Sequence, residues 1–380
     1  VRSYRDILRL PGALRFSAAG LLARSGQAML GLGLVLMVSA LYGSYGLAGV
    51  LTAVWAVSWA IGTALLSNLV DRFGQRRVMY PAAVVSALAL LVVVGFTLLQ
   101  LPAWTLVVPV VVAGAAGGSP GALVRARWKH LLSDSPALHT AFSLESTLDE
   151  VTYMVGPVIA TALAVGVHPA SGLFAAAVFS LLGATLFYSQ RATEPRVVAL
   201  TGMARRQGPG KVLMLPGVVA VVVVNLLIGA MFGGIDVTVV AATTSWDQRA
   251  ASGVVLGMFS LASALAGLLY GIRAWKSALW LRFVVIVVAM FAAAAALLAV
   301  NSVIMLTLIG MLFGVTVAPT LINGNSLIGR LVPEAQLTEG LAWMGTGIGI
   351  GAAIAPACVA TSSTWPTTRR DSSRWPLLAW

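Results

Sequence analysis

Stretches of about 20 consecutive apolar residues recur along this chain, the length a helix needs to cross the roughly 30 Å hydrocarbon core of a bilayer. They place spans near residues 13–40, 46–69, 78–99, 103–124, 142–165, 169–189, 216–242, 252–272, 281–300, 302–327 and 338–359, eleven in all. A soluble globule is excluded: charged residues are 9% and hydrophobic ones 59% of the 380, whereas a water-soluble domain carries about 25% charged residues. The length and helical composition of the stretches exclude a barrel. The fold class is an all-α integral membrane protein.

Charge alternates sharply between the loops. Arg2, Arg5, Arg9 and Arg15 precede the first span; Arg72, Arg76 and Arg77 follow the second; Arg125, Arg127 and Lys129 follow the fourth. Arg191, Arg196, Arg205, Arg206 and Lys211 follow the sixth, Arg273, Lys276 and Arg282 the eighth, and Arg330 the tenth. The opposite loops carry no Lys or Arg except Arg249. Because basic loops stay in the cytoplasm, this predicts a cytoplasmic N-terminus and a multi-pass protein of the cell inner membrane. The net charge of +12 sits in these loops, where it suits anionic lipid headgroups and not nucleic acid.

Residues 191–215 are polar and rich in Arg, Gly and Pro, and read as a cytoplasmic linker between an N-terminal half, 1–190, and a C-terminal half, 216–360. Pro120, followed by Leu131 and Leu138, is matched at an offset of 199 positions by Pro319, Arg330 and Leu337. That spacing suggests a parallel repeat.

A lone Cys358 leaves no disulfide, and His130, His139 and His168 fall near span boundaries, so no metal site or proton relay is expected of them. There is no nucleophile beside a base, no glycine-rich phosphate loop and no metal-ligand spacing. Neither an enzyme nor a nucleotide-driven pump is indicated, and no cofactor is implied. The first span lacks a signal cleavage site and is expected to be retained. Trp104, Trp128, Trp246, Trp275 and Trp280 read as interfacial anchors, with Trp55 and Trp59 packed between helices.

Acids inside apolar spans are costly and mark function by default. Glu145, Asp149 and Glu150 lie in the fifth span. If its helix starts at the Ser135, Pro136 pair, Glu145 and Asp149 are about 13 and 20 Å deep and share a face; if it starts later, Glu145 is a solvated end residue. Arg24 interrupts the first span near its middle, and the fifth-span carboxylates are its obvious acceptors. It is either a substrate or coupling residue or one end of a structural ion pair. Asp236, behind Gly233 and Gly234 in the seventh span, is a cavity acid or, close to the outer loop, a solvated one.

After the second span come Ser67, Asn68, Leu69, Val70, Asp71, Arg72, Phe73, Gly74, Gln75, Arg76 and Arg77. This resembles the loop between helices 2 and 3 of the major facilitator superfamily, with Asp71, Arg72, Gly74 and Arg76 in pattern, Ser67 where glycine is usual and Gln75 where a basic residue is usual. The resemblance implies two six-helix halves that rock about a midplane site, with the first and seventh spans lining the cavity. It also implies a gating role for Asp71, Arg72, Gly74 and Arg76 against the start of the eleventh span at Leu337, Thr338 and Glu339. Gly156 and Pro157 resemble the element of antiporter branches, and read equally as a plain proline kink.

The function implied is proton-coupled efflux of a small amphipathic or drug-like molecule. Uptake of a sugar or similar solute is one alternative, and an inactive truncated membrane protein is another. The latter has its own warrant: after Pro356 the chain turns polar, with Arg369, Arg370 and Arg374 on the outer side. A frameshift near residues 352–362 that removed a twelfth span is the expectation there.

Overall fold

The computed structural model describes residues 4–132, 135, 137–197, 211–248, 251–273, 275–333 and 336–362. Much of the linker and the tail from 363 onward, with the frameshift expected there, lie outside the described residues.

A short helix α1 (Tyr4–Leu8) precedes α2 (Ala13–Tyr42), α3 (Tyr45–Phe73), α4 (Gln75–Leu98), α5 (Val107–Gly117), α6 (Pro120–Leu132), α7 (Ala137–Gly166) and α8 (Ser171–Ser189). After the linker come α9 (Pro216–Ser245), α10 (Ala251–Ile272), α11 (Leu279–Ala296), α12 (Val303–Leu331) and α13 (Leu337–Ser362). Among the described residues nine helical segments are long and apolar enough to cross a membrane, with α5 and α6 together forming one of them. Helices α9 and α13, described in part, occupy the places of the seventh and eleventh spans, and Pro216–Phe232 is an apolar stretch of the former.

Apolar side chains at helical spacing stay exposed along single faces: Val57, Ile61, Leu65 and Leu69 on α3, and Ile304, Leu308, Leu312 and Val315 on α12. In water such stripes would be untenable; facing lipid they cost nothing.

The chain turns where its local chemistry requires it. Ser44 Oγ accepts from Leu47 N at 3.1 Å at the start of α3, and Gly74, alone between α3 and α4, takes φ +92°. The fourth span is not one rod, for Gly118 takes φ +62° and Pro120 starts a new helix, as proline's fixed φ permits at a first turn. The freed Gly118 carbonyl accepts from Trp59 Nε1 at 2.8 Å and Gln27 Nε2 at 3.2 Å. Around Pro319, the counterpart of Pro120, α12 runs through unbroken, so the two repeats share spacing but not conformation.

Within the first set of spans α2 packs on α7 and α8, α3 on α5, and α4 on α5 and α8; in the second, α9 packs on α13 and α10 on α12. The sets meet along two seams, α7 against α10 and α12, and α3 against α13. Small residues permit the close approaches. A Cβ on Gly62 would stand 2.0 Å from the carbonyl oxygen of Ala115 across the α3–α5 contact, whereas one on Gly31 would meet nothing. Gly62→Ala is therefore expected to lower the thermal unfolding midpoint of the purified protein, at a cost of about 1–3 kcal/mol for overpacking, while Gly31→Ala leaves it unchanged or slightly raised.

Candidate functional site

Helix α7 starts at Ala137, with Ser135 Oγ accepting from Ala137 N; Pro136 lies outside the described residues. Eight residues on, Glu145 is about 12 Å into the helix and 0% exposed, so the solvated-end alternative falls. Its Oε2 accepts from Arg24 at 2.5 Å. Its Oε1 accepts from Ser17 Oγ at 2.6 Å and Trp128 Nε1 at 2.7 Å. One turn later Asp149 accepts from Arg24 at 2.6 Å and from Arg125 at 2.8 Å. Arg125 also donates to Ser146 Oγ and Gly121 O, and Arg24 to Gly20 O.

Two guanidinium groups and two carboxylates thus form a neutral cluster that ties α2, α6 and α7 together. Its members have hydrogen bonds on both carboxylates, which is what burial of charge demands.

Arg125 and Arg127, read above as loop charges, are instead buried in α6, and Trp128 is a core residue and not an anchor. The physical reason is that no glycine, proline or other breaker follows Val124, so the helix continues to Leu132 and carries its arginines inward. Arg127 lies 3.8 Å over the Phe187 ring and donates to Gln75 Oε1, Thr193 Oγ1 and Gln190 O. That explains Gln75: buried against an arginine, it accepts where a basic residue would repel.

At the end of the molecule that carries the basic loops, both seams are closed. Asp71, at the last turn of α3, accepts from the backbone amides of Thr338 at 3.3 Å and Glu339 at 3.0 Å, the first turn of α13. Asn68 donates to Glu339 Oε2 at 2.9 Å. Arg72 is half-buried beside Asp71; the backbone amide of Arg76 donates to Glu194 at 2.8 Å, and a Cβ on Gly74 would press on that same carboxylate at 3.3 Å. On the other seam Thr140 donates to Gly271 O at 3.1 Å, Ser143 to Gly267 O, and His139 Nε2 lies 3.3 Å from Tyr270 O. Tyr4 of α1 reaches across to Leu268 O at 2.7 Å. Nothing in composition or spacing pointed to Tyr4, Ser143 or Thr140.

Glu150 is set apart from its neighbours. It turns toward Ser263 of α10 and has no arginine or lysine partner among the described residues, both nearby guanidinium groups being bound to Glu145 and Asp149. Gly156 lies against α2, where a Cβ would stand 2.8 Å from Ala28 Cβ, and Pro157 lies inside α7. Asp236 falls within α9; its side chain lies outside the described residues. Trp55 and Trp59 stack at 6.3 Å, Trp104 and Trp280 are exposed, and Trp275 bonds Tyr270 O through Nε1. No group of three or more His, Cys, Asp or Glu gathers as a metal site among the described residues.

A sequence model of the Major Facilitator Superfamily matches residues 16–356. No curated protein matches. Among solved structures, the human organic anion transporter MFSD10 (TETRAN) is 15% identical, with 93% of this chain and 94% of that one covered and a TM-score of 0.69. The proton:xylose symporter XylE, bound to 6-bromo-6-deoxy-D-glucose, is also 15% identical, covering 92% and 88% with a TM-score of 0.68. FucP in its outward conformation is 13% identical, covering 93% and 92% with a TM-score of 0.70.

Removing one member of the buried cluster leaves its partners charged and dry, at a cost of about 3–5 kcal/mol. Arg24→Met is accordingly expected to depress the unfolding midpoint and the yield of monodisperse protein strongly. Arg24→Met combined with Glu145→Gln should recover part of that loss in the same melting assay.

Proposed function

Given that the chain belongs to the Major Facilitator Superfamily and is a membrane transporter, we propose that it is a secondary active transporter exporting a small amphipathic compound in exchange for protons. The observation that carries this reading is Glu150, a carboxylate about 20 Å into α7 at the contact with α10, with no cationic partner. An acid within a membrane span and without a countercharge is held most cheaply with a proton bound, and that proton is lost to water most easily when the surrounding contact opens. Asp149, on two arginines, is a poorer proton carrier than its neighbour. The direction rests on Gly156 and Pro157, a dipeptide that resembles part of the element of antiporter branches.

The division into halves at 1–190 and 216–360, joined by the linker, belongs to the same proposal. So does the orientation: with the basic loops cytoplasmic, the end sealed by Asp71 and by Thr140 and Ser143 is the inner one, and the conformation is outward-facing. Asp71 then acts as a latch. Its two bonds fall on first-turn amides of α13, where a negative charge is favoured by the helix dipole, and they are broken when the inner end opens.

Everted membrane vesicles that hold a pH gradient test the function. Addition of amphipathic cationic dyes should dissipate the gradient through this protein, and Glu150→Gln should retain dye binding while losing dependence on the gradient. Dye movement that ignores the gradient, or gradient-driven movement in the opposite direction, rules out proton-coupled export. Asp71→Asn should reach the membrane at wild-type levels yet transport at least several-fold more slowly; unaltered flux would leave Asp71 only a topological role.

A further inference from the structure

The connection from α10 to α11 gathers three cations and no acid. Arg273 and Lys276 are exposed, and Arg282, in the first turn of α11, is half-buried. The guanidinium carbon of Arg273 lies 4.7 Å from the centre of the Trp275 ring and that of Arg282 5.7 Å, so two like charges share one indole. No Asp or Glu occurs between Asp247 and Glu334, and among the described residues no carboxylate pairs with any of the three cations. The Nε of Arg282 is sealed from water without an acceptor. The guanidinium groups of Arg24, Arg125 and Arg127, by contrast, all donate to side-chain oxygens. An indole face offsets such crowding only in part, whereas an anion between the cations takes charge-assisted hydrogen bonds from them.

The surroundings say which anion fits. Trp280, 62% exposed, stands between the cations and the outer face of α11, where Leu281, Val284, Val285 and Val288 are exposed in helical succession. Cations, then an interfacial tryptophan, then aliphatic surface follow the order of phosphate, glycerol and acyl chain in a phospholipid. A free phosphate would use only the first of these.

We propose that Arg273, Lys276 and Arg282 form a site for the headgroup of an anionic phospholipid whose acyl chains lie along α11. The site also bears on the closed seam. Trp275 Nε1 donates to Tyr270 O at 3.0 Å, with the two rings 4.5 Å apart. That same carbonyl lies 3.3 Å from His139 Nε2 of α7, and the His139 and Tyr270 rings are 5.4 Å apart. A lipid that holds both arginines about Trp275 braces Tyr270 against His139 from outside the bundle. It therefore binds the closed seam better than the parted one and shifts the population toward closure. Neither Glu150 nor the direction of transport enters this inference.

The test is amide hydrogen exchange on the purified, delipidated full chain in dodecyl maltoside. Dioleoylphosphatidylglycerol, dioleoylphosphatidylcholine or glycerol 3-phosphate is titrated in. Phosphatidylglycerol should slow exchange over residues 271–283 and, across the seam, over residues 137–143, while the other two do neither. A cation beside an anionic lipid surface is worth about fivefold in affinity. Lys276→Gln, a change at an exposed position, should therefore raise the half-effective lipid concentration about fivefold, and Arg273→Gln with Arg282→Gln about 25-fold. Arg76→Gln with Arg77→Gln removes the same net charge from another loop and should leave the protection at 271–283 as in the wild type.

Equal protection by phosphatidylcholine overturns the site, as does wild-type protection in both the Lys276 variant and the double arginine variant. Protection by glycerol 3-phosphate alone makes it a free-anion site and overturns the lipid. Protection confined to 271–283 removes the brace on the seam.

Discussion

The bidentate grip of Arg24 on Glu145 and Asp149 is the interaction on which the first set of helices depends. A guanidinium in the middle of a span costs several kcal/mol unless its charge and its donors are met, and here two carboxylates on successive turns of one helix meet them. Arg125 restores electroneutrality from α6, and Ser17 and Trp128 fill the remaining acceptor positions of Glu145. The cluster fixes the rotation of α2, α6 and α7 as no apolar contact does, because a helix turned by one residue would strand a charge. Glu150 stands next to this satisfied arrangement and outside it, which is why one acid reads as a clamp and its neighbour as a carrier.

The closed end is built from a different kind of bond. Asp71 receives amides of the first turn of α13, and Thr140 and His139 address carbonyls among the last four residues of α10. These are the backbone groups that a helix leaves without internal partners at its ends. Water satisfies them as readily as side chains do, so parting the seam exchanges bonds at small net cost, whereas parting the charge cluster exposes a mismatch that water cannot reach. The molecule therefore has a stiff interior within one set of helices and a soft closure between the sets.

The fold was legible in the sequence because a span must be long, apolar and helical, and those requirements leave a mark on every residue of it. The facing of Asp71 and α13 was legible only through likeness to a known loop pattern. The pairing of Arg24 with the α7 acids followed from the cost of burying either alone. What escaped was set by local details: the kink at Gly118 that lets α6 carry Arg125 and Arg127 inward, and Tyr4 and Ser143, whose partners are backbone carbonyls 264 and 124 positions away. A carbonyl has no residue signature, so no reading of side-chain types finds it. The boundary drawn at Val124 misplaced two arginines and a tryptophan, since basic residues in a span look like loop residues until their acceptors are known.

The separation of Arg24 from Glu145 by 121 positions bears on how the chain is made. During synthesis α2 emerges long before α7, and at about 5–20 residues per second it waits many seconds for its counter-ions. Over that interval an arginine near the middle of a lone helix has no carboxylate to hold it in hydrocarbon. The first helix must therefore shelter in the insertion machinery, sit shallow, or draw water in with it, and reach its final depth only when α7 arrives. Assembly of this half is in that sense delayed by its own charge pairing, and the fifth span completes the first.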